Sequence, residues 1–404
     1  MRARGYRRPC PRGAALALGT AIMLVIGVIY AWSIYSQPFS EGFGWTSAQL
    51  GLCFTVMLGC FCLGGIAGGA AAARLGVGFS MPAGGVLGCL GFGLCMFLRP
   101  ERLWLLYLAM AVAGLGVGFI YNGVLSAVVP RYGERRGFAS GVLLMGYGSS
   151  SLLLGSLASR LIVSPDFGWH LTYLLTGALI LAAGAAGGAL LRPTAARAAE
   201  SGALPERAPG LTPRQMLRTS RFWLFFAAAT IGTAFGSGLI AHGNYLFLEA
   251  GASGETAALG VGLVAVMNGL GRVLFGTLHD RLGFRVSLLT DAAVYIAAGL
   301  GAALALRGGA DWALIAAMMA IGACYGAVPT ISASVAGDFF GQAHYGRNLS
   351  YVNLNILLAS PASAVIGAME TASGSYTDAI FVFTGLELVA VLLLALLSRT
   401  RPVI

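Results

Sequence analysis

The sequence contains no lysine; all 25 of its basic residues are arginine. Charge of either sign is scarce, at 10% of the 404 residues, where a soluble domain carries about 25%. With a mean hydropathy of +0.81, that scarcity excludes an ordinary soluble domain and points to an integral membrane protein. The net charge of +10 invites a nucleic-acid reading, but the arginines cluster at the ends of apolar runs and form no patch, so membrane orientation explains them better. The seven cysteines have no metal or redox spacing. Cys53, Cys60, Cys62, Cys89, Cys95 and Cys324 lie inside apolar runs and Cys10 in the basic N-terminal stretch, where they read as small packing residues. Metal-ligand clusters, Walker-type loops and nucleophile–base–acid sets are missing too. The chain is therefore not expected to be an enzyme or to need a cofactor.

What is abundant is small and apolar. The 60 glycines are roughly twice the usual share and suit helices packed backbone to backbone in lipid. Runs long enough to cross a bilayer fall at 14–36, 47–72, 80–98, 103–129, 137–163, 169–191, 220–248, 256–279, 286–306, 312–340, 347–369 and 376–397. Twelve helices in an all-α, polytopic membrane fold are expected. The stretch 192–219, rich in Pro, Ala and Arg, divides the chain into a six-helix bundle at 1–191, a cytoplasmic linker and a second bundle at 220–404. Within it, Thr212-Pro213-Arg214-Gln215 has a capping-box pattern and should start a short helix. The arginine-rich N-terminus resembles the start of a signal peptide, but the apolar run after it is too long, so a retained first helix is expected. Arginines crowd one set of loops, from Arg2, Arg4, Arg7, Arg8, Arg12 and Arg74 through Arg192, Arg197 and Arg207 to Arg399 and Arg401. The other set receives only Arg99, Arg102, Arg160 and Arg307, which predicts cytoplasmic termini.

The stretch Gly262–Gly283 carries the strongest functional signal. It is a membrane-length run with Arg272 near its middle, and a cation there marks a substrate or ion pathway by default. Counted from the outer ends of their spans at about 1.5 Å per residue, Arg272, Tyr121, Asn122, Tyr325 and Asn353 share one layer. Met145 and Tyr147 fall in the same layer and could supply an apolar wall. Arg272 offers a planar, permanently charged fork for a carboxylate, and Tyr121, Asn122 and Tyr325 could donate to its remaining oxygens or to a hydroxyl. His242 is the only histidine inside an expected span and a candidate proton relay, with a neutral core histidine the plain alternative. Asn268 lies four residues before Arg272, on the same face. Asp280, Asp291 and Asp338 lie toward the ends of spans, within reach of Arg281, Arg285 or Arg347. They read as surface ion pairs latching the inner gate. Glu387 sits inside the last span with no evident partner.

The halves echo each other. Gly69-x-x-x-Ala73-Arg74-Leu75-Gly76 matches Gly276-x-x-x-Asp280-Arg281-Leu282-Gly283, and Tyr132-Gly133-Glu134-Arg135-Arg136 matches Tyr345-Gly346-Arg347. A parallel repeat of six helices resembles the major facilitator superfamily and implies a site near the midplane between the halves. Tyr30-Ala31-Trp32-Ser33-Ile34-Tyr35, Gly44-Trp45-Thr46-Ser47-Ala48-Gln49-Leu50, Met216-Leu217-Arg218-Thr219-Ser220-Arg221-Phe222-Trp223 and Gly337-Asp338-Phe339-Phe340-Gly341 resemble the oxalate/formate antiporter and monocarboxylate transporter group. The resemblance implies a secondary transporter of a small, lactate- or pyruvate-like monocarboxylate with a proton as partner, acting as a monomer in the lipid bilayer of the cell membrane. It also shows departures. Ala73 replaces the acid usual in the first-half turn, and Asn268 replaces the aspartate of animal monocarboxylate transporters. No lysine stands near Leu354, where oxalate transporters carry a second cation. The alternatives are an oxalate/formate-type exchanger and, in a different class, a polyspecific exporter or a non-transporting sensor on the same fold.

Overall fold

The computed structural model describes residues 11–191 and 210–399. Arg2, Arg4, Arg7, Arg8, Cys10, Arg192, Arg197, Arg207 and Arg401 lie outside the described residues, as does most of the expected linker. Apart from one bridge between Gly210 and Gly341, the described residues form helices and turns. Among the described residues, ten helical stretches are long and apolar enough to cross a membrane. Two of them, of 61 and 54 residues, are each a pair of spans, divided at the non-helical Gly133 and Gly283. The described residues thus form twelve transmembrane helices. They are α1 (Arg12–Phe43), α2 (Ser47–Leu75), α3 (Val77–Phe97), α4 (Leu103–Val128), α5 (136–163) and α6 (Gly168–Leu190). The remainder are α7 (Ser220–Ala241), α8 (254–282), α9 (284–307), α10 (Asp311–Phe340), α11 (Tyr345–Ser373) and α12 (Thr377–Ser398). Every apolar run expected to span has become one of these helices.

The repeated turns have a backbone cause. Gly76 (φ 80°, ψ 160°) ends α2 and Gly283 (φ 79°, ψ 174°) ends α8, in almost the same conformation. An L side chain is strained there, so both copies of the motif must end in glycine. The Gly-Trp-Thr motif is likewise structural. Gly44, at φ 70°, closes α1, Trp45 donates from its indole to Pro100 O at 3.0 Å, and Thr46 forms a capping box with Gln49 that starts α2. The second expected capping box forms as well, between Thr212 and Gln215, with Pro213 at the first helical position.

The chain separates into two compact units. The first comprises 1–133 and 150–209, the second 134–149 and 210–404. In the first unit an aromatic cluster of Tyr35, Phe39, Phe92, Trp169 and Tyr173 is pinned by hydrogen bonds from Tyr173 to Tyr35 O and between Tyr35 and Thr176. In the second unit α7, α8, α9, α10 and α12 share a core that includes Phe235, Tyr295, Phe339 and Phe383. The first half of α5 belongs to the second unit and so shares it with α8.

Candidate functional site

The site is built from glycine. Gly137, Gly141 and Gly148 recur along α5 at helical spacing and meet α8. A Cβ on Gly141 would strike the backbone carbonyl of Arg272, and one on Gly137 would strike that of Gly276. On another face of α8, a Cβ on Gly326 of α10 would meet Asn268 O and one on Gly271 would meet Ala323 O. Only bare backbone lets α8 sit this close to both neighbours.

That seam fixes Arg272. Its side chain is buried, at 5% exposure, and lies over Gly148, where an added Cβ would stand 3.2 Å from Nη2 and 3.3 Å from Cζ. Nη1 donates to Leu144 O at 2.9 Å, and Nε is buried without a partner. Among the described residues no carboxylate pairs with it. A guanidinium has five N–H donors and needs an anion or several acceptors once water is removed. One carbonyl leaves that need unmet, and an anion at Nε and Nη2 would meet it. Tyr325 of α10 is within electrostatic range of the Arg272 charge, and Met145 of α5 stands 3.7 Å from the Cβ position of Gly269, one turn before Arg272. Tyr147 is buried beside Gly148, and Asn353 is buried at a break in α11. The second unit therefore brings Arg272 together with Met145 and Tyr325. Tyr121 and Asn122 belong to the first unit, where Tyr121 packs edge-on against Phe61 and Asn122 Oδ1 accepts from Ser126 Oγ at 2.9 Å.

The two proton-coupling candidates differ. His242 sits at a break where α7 ends and a short helix, Gly243–Glu249, begins. Its Nε2 lies 2.8 Å from Ser363 O, and since a carbonyl only accepts, the neutral ring carries its proton there. Its Nδ1 then accepts from Tyr376 Oη at 3.2 Å. Burial, reinforced by Glu370 and Glu249, pushes the Tyr376 hydroxyl above its ordinary range, so it remains a donor. The ring borders a cavity of about 630 Å³ shared with Tyr245, Glu249 and Glu370. Asn268 presents a buried Oδ1 without a partner, against Gly326.

Of the three acids expected in surface ion pairs, Asp338 forms one among the described residues, with Arg136 in place of the arginines expected, and Asp280 and Asp291 do not. The Asp280 carboxylate accepts from the N–H groups of Gly137 and Phe138, each at 2.7 Å, capping the first turn of α5, where the helix dipole favours an anion. Asp338 does meet a cation, Arg136 at 3.7 Å, and its other oxygen lies 2.8 Å from His279 Nε2. His279 is buried and also contacts Ser287 Oγ at 3.2 Å. Arg281 and Arg347 make no ion pair among the described residues. Asp291 is no surface pair either, because its place on α9 turns it into the core, at 7% exposure. Sequence reading passed over Leu144, Arg136 and His279. The glycine period on α5 and the His279-Asp280 adjacency were the available signals.

The sequence model of the family described as Major Facilitator Superfamily matches residues 16–359. The chain is 24% identical over 347 residues to an oxalate:formate antiporter of Oxalobacter formigenes, covering 83% of this chain and 79% of that one. It is 29% identical over 340 residues to monocarboxylate transporter 11 of Homo sapiens, covering 79% and 68%. Among solved structures, that of the proton:xylose symporter XylE superposes with a TM-score of 0.71 at 16% identity, covering 94% of each chain, a likeness of fold.

Proposed function

We propose, since the chain belongs to the Major Facilitator Superfamily, that it is a secondary transporter of a small, lactate- or pyruvate-like monocarboxylate. Members of this family move solutes and are not enzymes, so the residues need only bind, orient and release. The observation that carries the reading is Arg272, a buried cation with an unmet Nε and a single carbonyl partner. Its fork binds the carboxylate in two-pronged fashion. Tyr325 donates to the substrate's second polar group, and Met145 and Tyr147 give the apolar wall. Asn353, Tyr121 and Asn122 keep their places on the depth read from the sequence.

Proton symport is part of the proposal. A carboxylate entering alone carries charge against the membrane potential, a cost of about 2.3 kcal/mol per 100 mV that one proton cancels. His242, half-buried beside the cavity, is the candidate to receive that proton, and Asn268, which cannot titrate, orders polar groups beside Arg272. Asp280, Arg281, Asp338 and Arg347 belong to the inner gate. The protein works as a monomer in the cell membrane with both termini cytoplasmic, and its halves divide at the linker 192–219. Support for the substrate class comes from the monocarboxylate transporter and the oxalate:formate antiporter among its relatives.

The second reading is anion exchange of the oxalate/formate kind, favoured by the Oxalobacter relative. Against it stands the absence of any lysine and a stretch Tyr351–Ile356 without a cation. A dianion would bring an uncompensated charge into the site, at a cost of several kcal/mol. Counterflow in proteoliposomes tests both. Labelled lactate or pyruvate should exchange, and unlabelled oxalate at equal concentration should not compete. Competition by oxalate would establish the exchanger instead.

A further inference from the structure

Two acids that the proposed substrate site does not use face one cavity inside the second unit. Asp291 of α9 is 7% exposed and Glu387 of α12 is 2% exposed. Both border a void of about 30 Å³ whose other walls are apolar, among them Phe225, Ala229, Leu288, Val328 and Leu394. Asp291 Oδ1 and Glu387 Oε1 are each buried with no hydrogen-bond partner. Gly232 of α7 faces Glu387: a Cβ there would stand 3.5 Å from Oε1, at ordinary van der Waals contact.

The groups that face the pair carry no compensating charge. From α9 comes Tyr295, whose hydroxyl donates to Gly232 O at 2.9 Å. From α10 come Cys324, whose thiol donates to the backbone carbonyl of Asp291 at 3.6 Å, and Tyr325. The stretch of α7 lining the void has no titratable side chain, and no arginine or histidine lines it. Two carboxylates that share an apolar cavity without a cation cannot both stay ionised, because each charge loses its hydration and repels the other. Room for one water needs about 10–15 Å³ and two or more polar partners, and the two orphan oxygens supply them.

We propose that Asp291 and Glu387 form an intramembrane proton-binding site, a carboxyl pair that shares protons across one water-sized cavity. Protons enter or leave the pair one at a time, and its two carboxyls titrate as a unit. In transport it would store the coupling proton, a role that rests on the symport proposed above. The protonation itself does not.

The test is infrared difference spectroscopy of the whole protein in nanodiscs, without substrate, across a pH titration. A protonated-carboxyl C=O band should appear and be lost as pH rises. Asp291→Asn and Glu387→Gln, nearly isosteric replacements, should each shift it, and the double variant should abolish it. Arg272→Gln should leave the band intact while losing lactate binding, so the two sites are judged separately. In proteoliposomes Glu387→Gln should lose the about tenfold accumulation that one pH unit of gradient can sustain. An unchanged band in the double variant, or no titrating band in the wild type, overturns the site. A melting temperature raised by sodium in the wild type but not in Glu387→Gln also overturns it, reassigning the pair to a metal cation. Should the double variant not fold, the shifts in the two single variants decide, and neither moving the band counts against the proposal.

Discussion

Replacing Arg272 separates a binding cation from a structural one. The guanidinium makes one charged hydrogen bond within the protein, to Leu144 O at 2.9 Å, and leaves Nε without a protein partner. Glutamine can still donate to that carbonyl and removes a buried, unpaired charge. Arg272→Gln should therefore melt no lower than the wild type. With substrate bound the balance changes, because the carboxylate then lacks its cation. Removing one partner of a buried ion pair costs about 3–5 kcal/mol. At 1.4 kcal/mol per tenfold, affinity should fall by roughly two to three and a half orders of magnitude. Arg272→Lys keeps the charge but loses the fork, at the cost of one charged hydrogen bond, about 1.5–3 kcal/mol, or roughly 10–150-fold. Lactate affinity of the purified variants, read by thermal shift or calorimetry beside their substrate-free melting temperatures, checks both. A glutamine variant that melts well below the wild type but binds lactate within about threefold of it would refute the reasoning. Arg272 would then be a structural tie between α5 and α8.

Gly148→Ala places a methyl 3.2 Å from Nη2, so the guanidinium must yield by a few tenths of an ångström. Lactate affinity should weaken several-fold while membrane insertion persists, and unchanged affinity would place the guanidinium elsewhere. Asp280→Asn keeps one acceptor for the two amides at 2.7 Å and gives up the charge, which should cost about 1–2 kcal/mol and lower the melting temperature by a few degrees. An unchanged melting curve would show that the cap carries no stability. His242→Gln retains a donor for Ser363 O and should fold normally. Loss of the pH dependence of uptake would keep His242 in the proton route, and its survival would remove it.

How much of this was legible from sequence depends on the kind of interaction. Helices were readable because lipid demands long apolar runs whose backbone groups satisfy one another. The twin turns were readable because Gly76 and Gly283 occupy a conformation that only glycine adopts easily. Arg272 stood out because charge in such a run is costly. The acids were read wrongly where depth and neighbours matter together. Asp291 lies only eight residues beyond Gly283, so it counted as a surface group, yet the helix turns it inward toward Glu387. Asp280 was assigned a side-chain cation, but its partners are backbone amides, which every residue carries and no composition reveals. The Leu144 carbonyl was hidden for the same reason.

The glycine seam also links Arg272 to the acids of the proposed inner gate. Asp280 holds the amides of Gly137 and Phe138 at the first turn of α5, and Asp338 holds Arg136 just before them. Leu144, six residues after Phe138, accepts from Arg272, and at about 1.5 Å per residue the latch and the acceptor lie some 9 Å apart on one continuous helix. A carboxylate that competes for the guanidinium draws on the Leu144 bond. Because Gly137 and Gly141 touch the α8 backbone directly, the two helices cannot accommodate that change by side-chain adjustment alone. On the proposed reading, the first half of α5 is expected to slide or tilt against α8, with the Asp280 and Asp338 contacts bearing the movement. Binding can shift a gate only by the difference in its affinity for the two states. In this protein that difference would be carried by the bonds at Leu144, Gly137 and Phe138. Weakening the cap with Asp280→Asn should therefore change lactate affinity as well as stability, although Asp280 is two helical turns from Arg272 on α8 and does not touch the substrate. Affinity identical to the wild type in that variant would show that the α5 seam is rigid and that the gate is governed elsewhere.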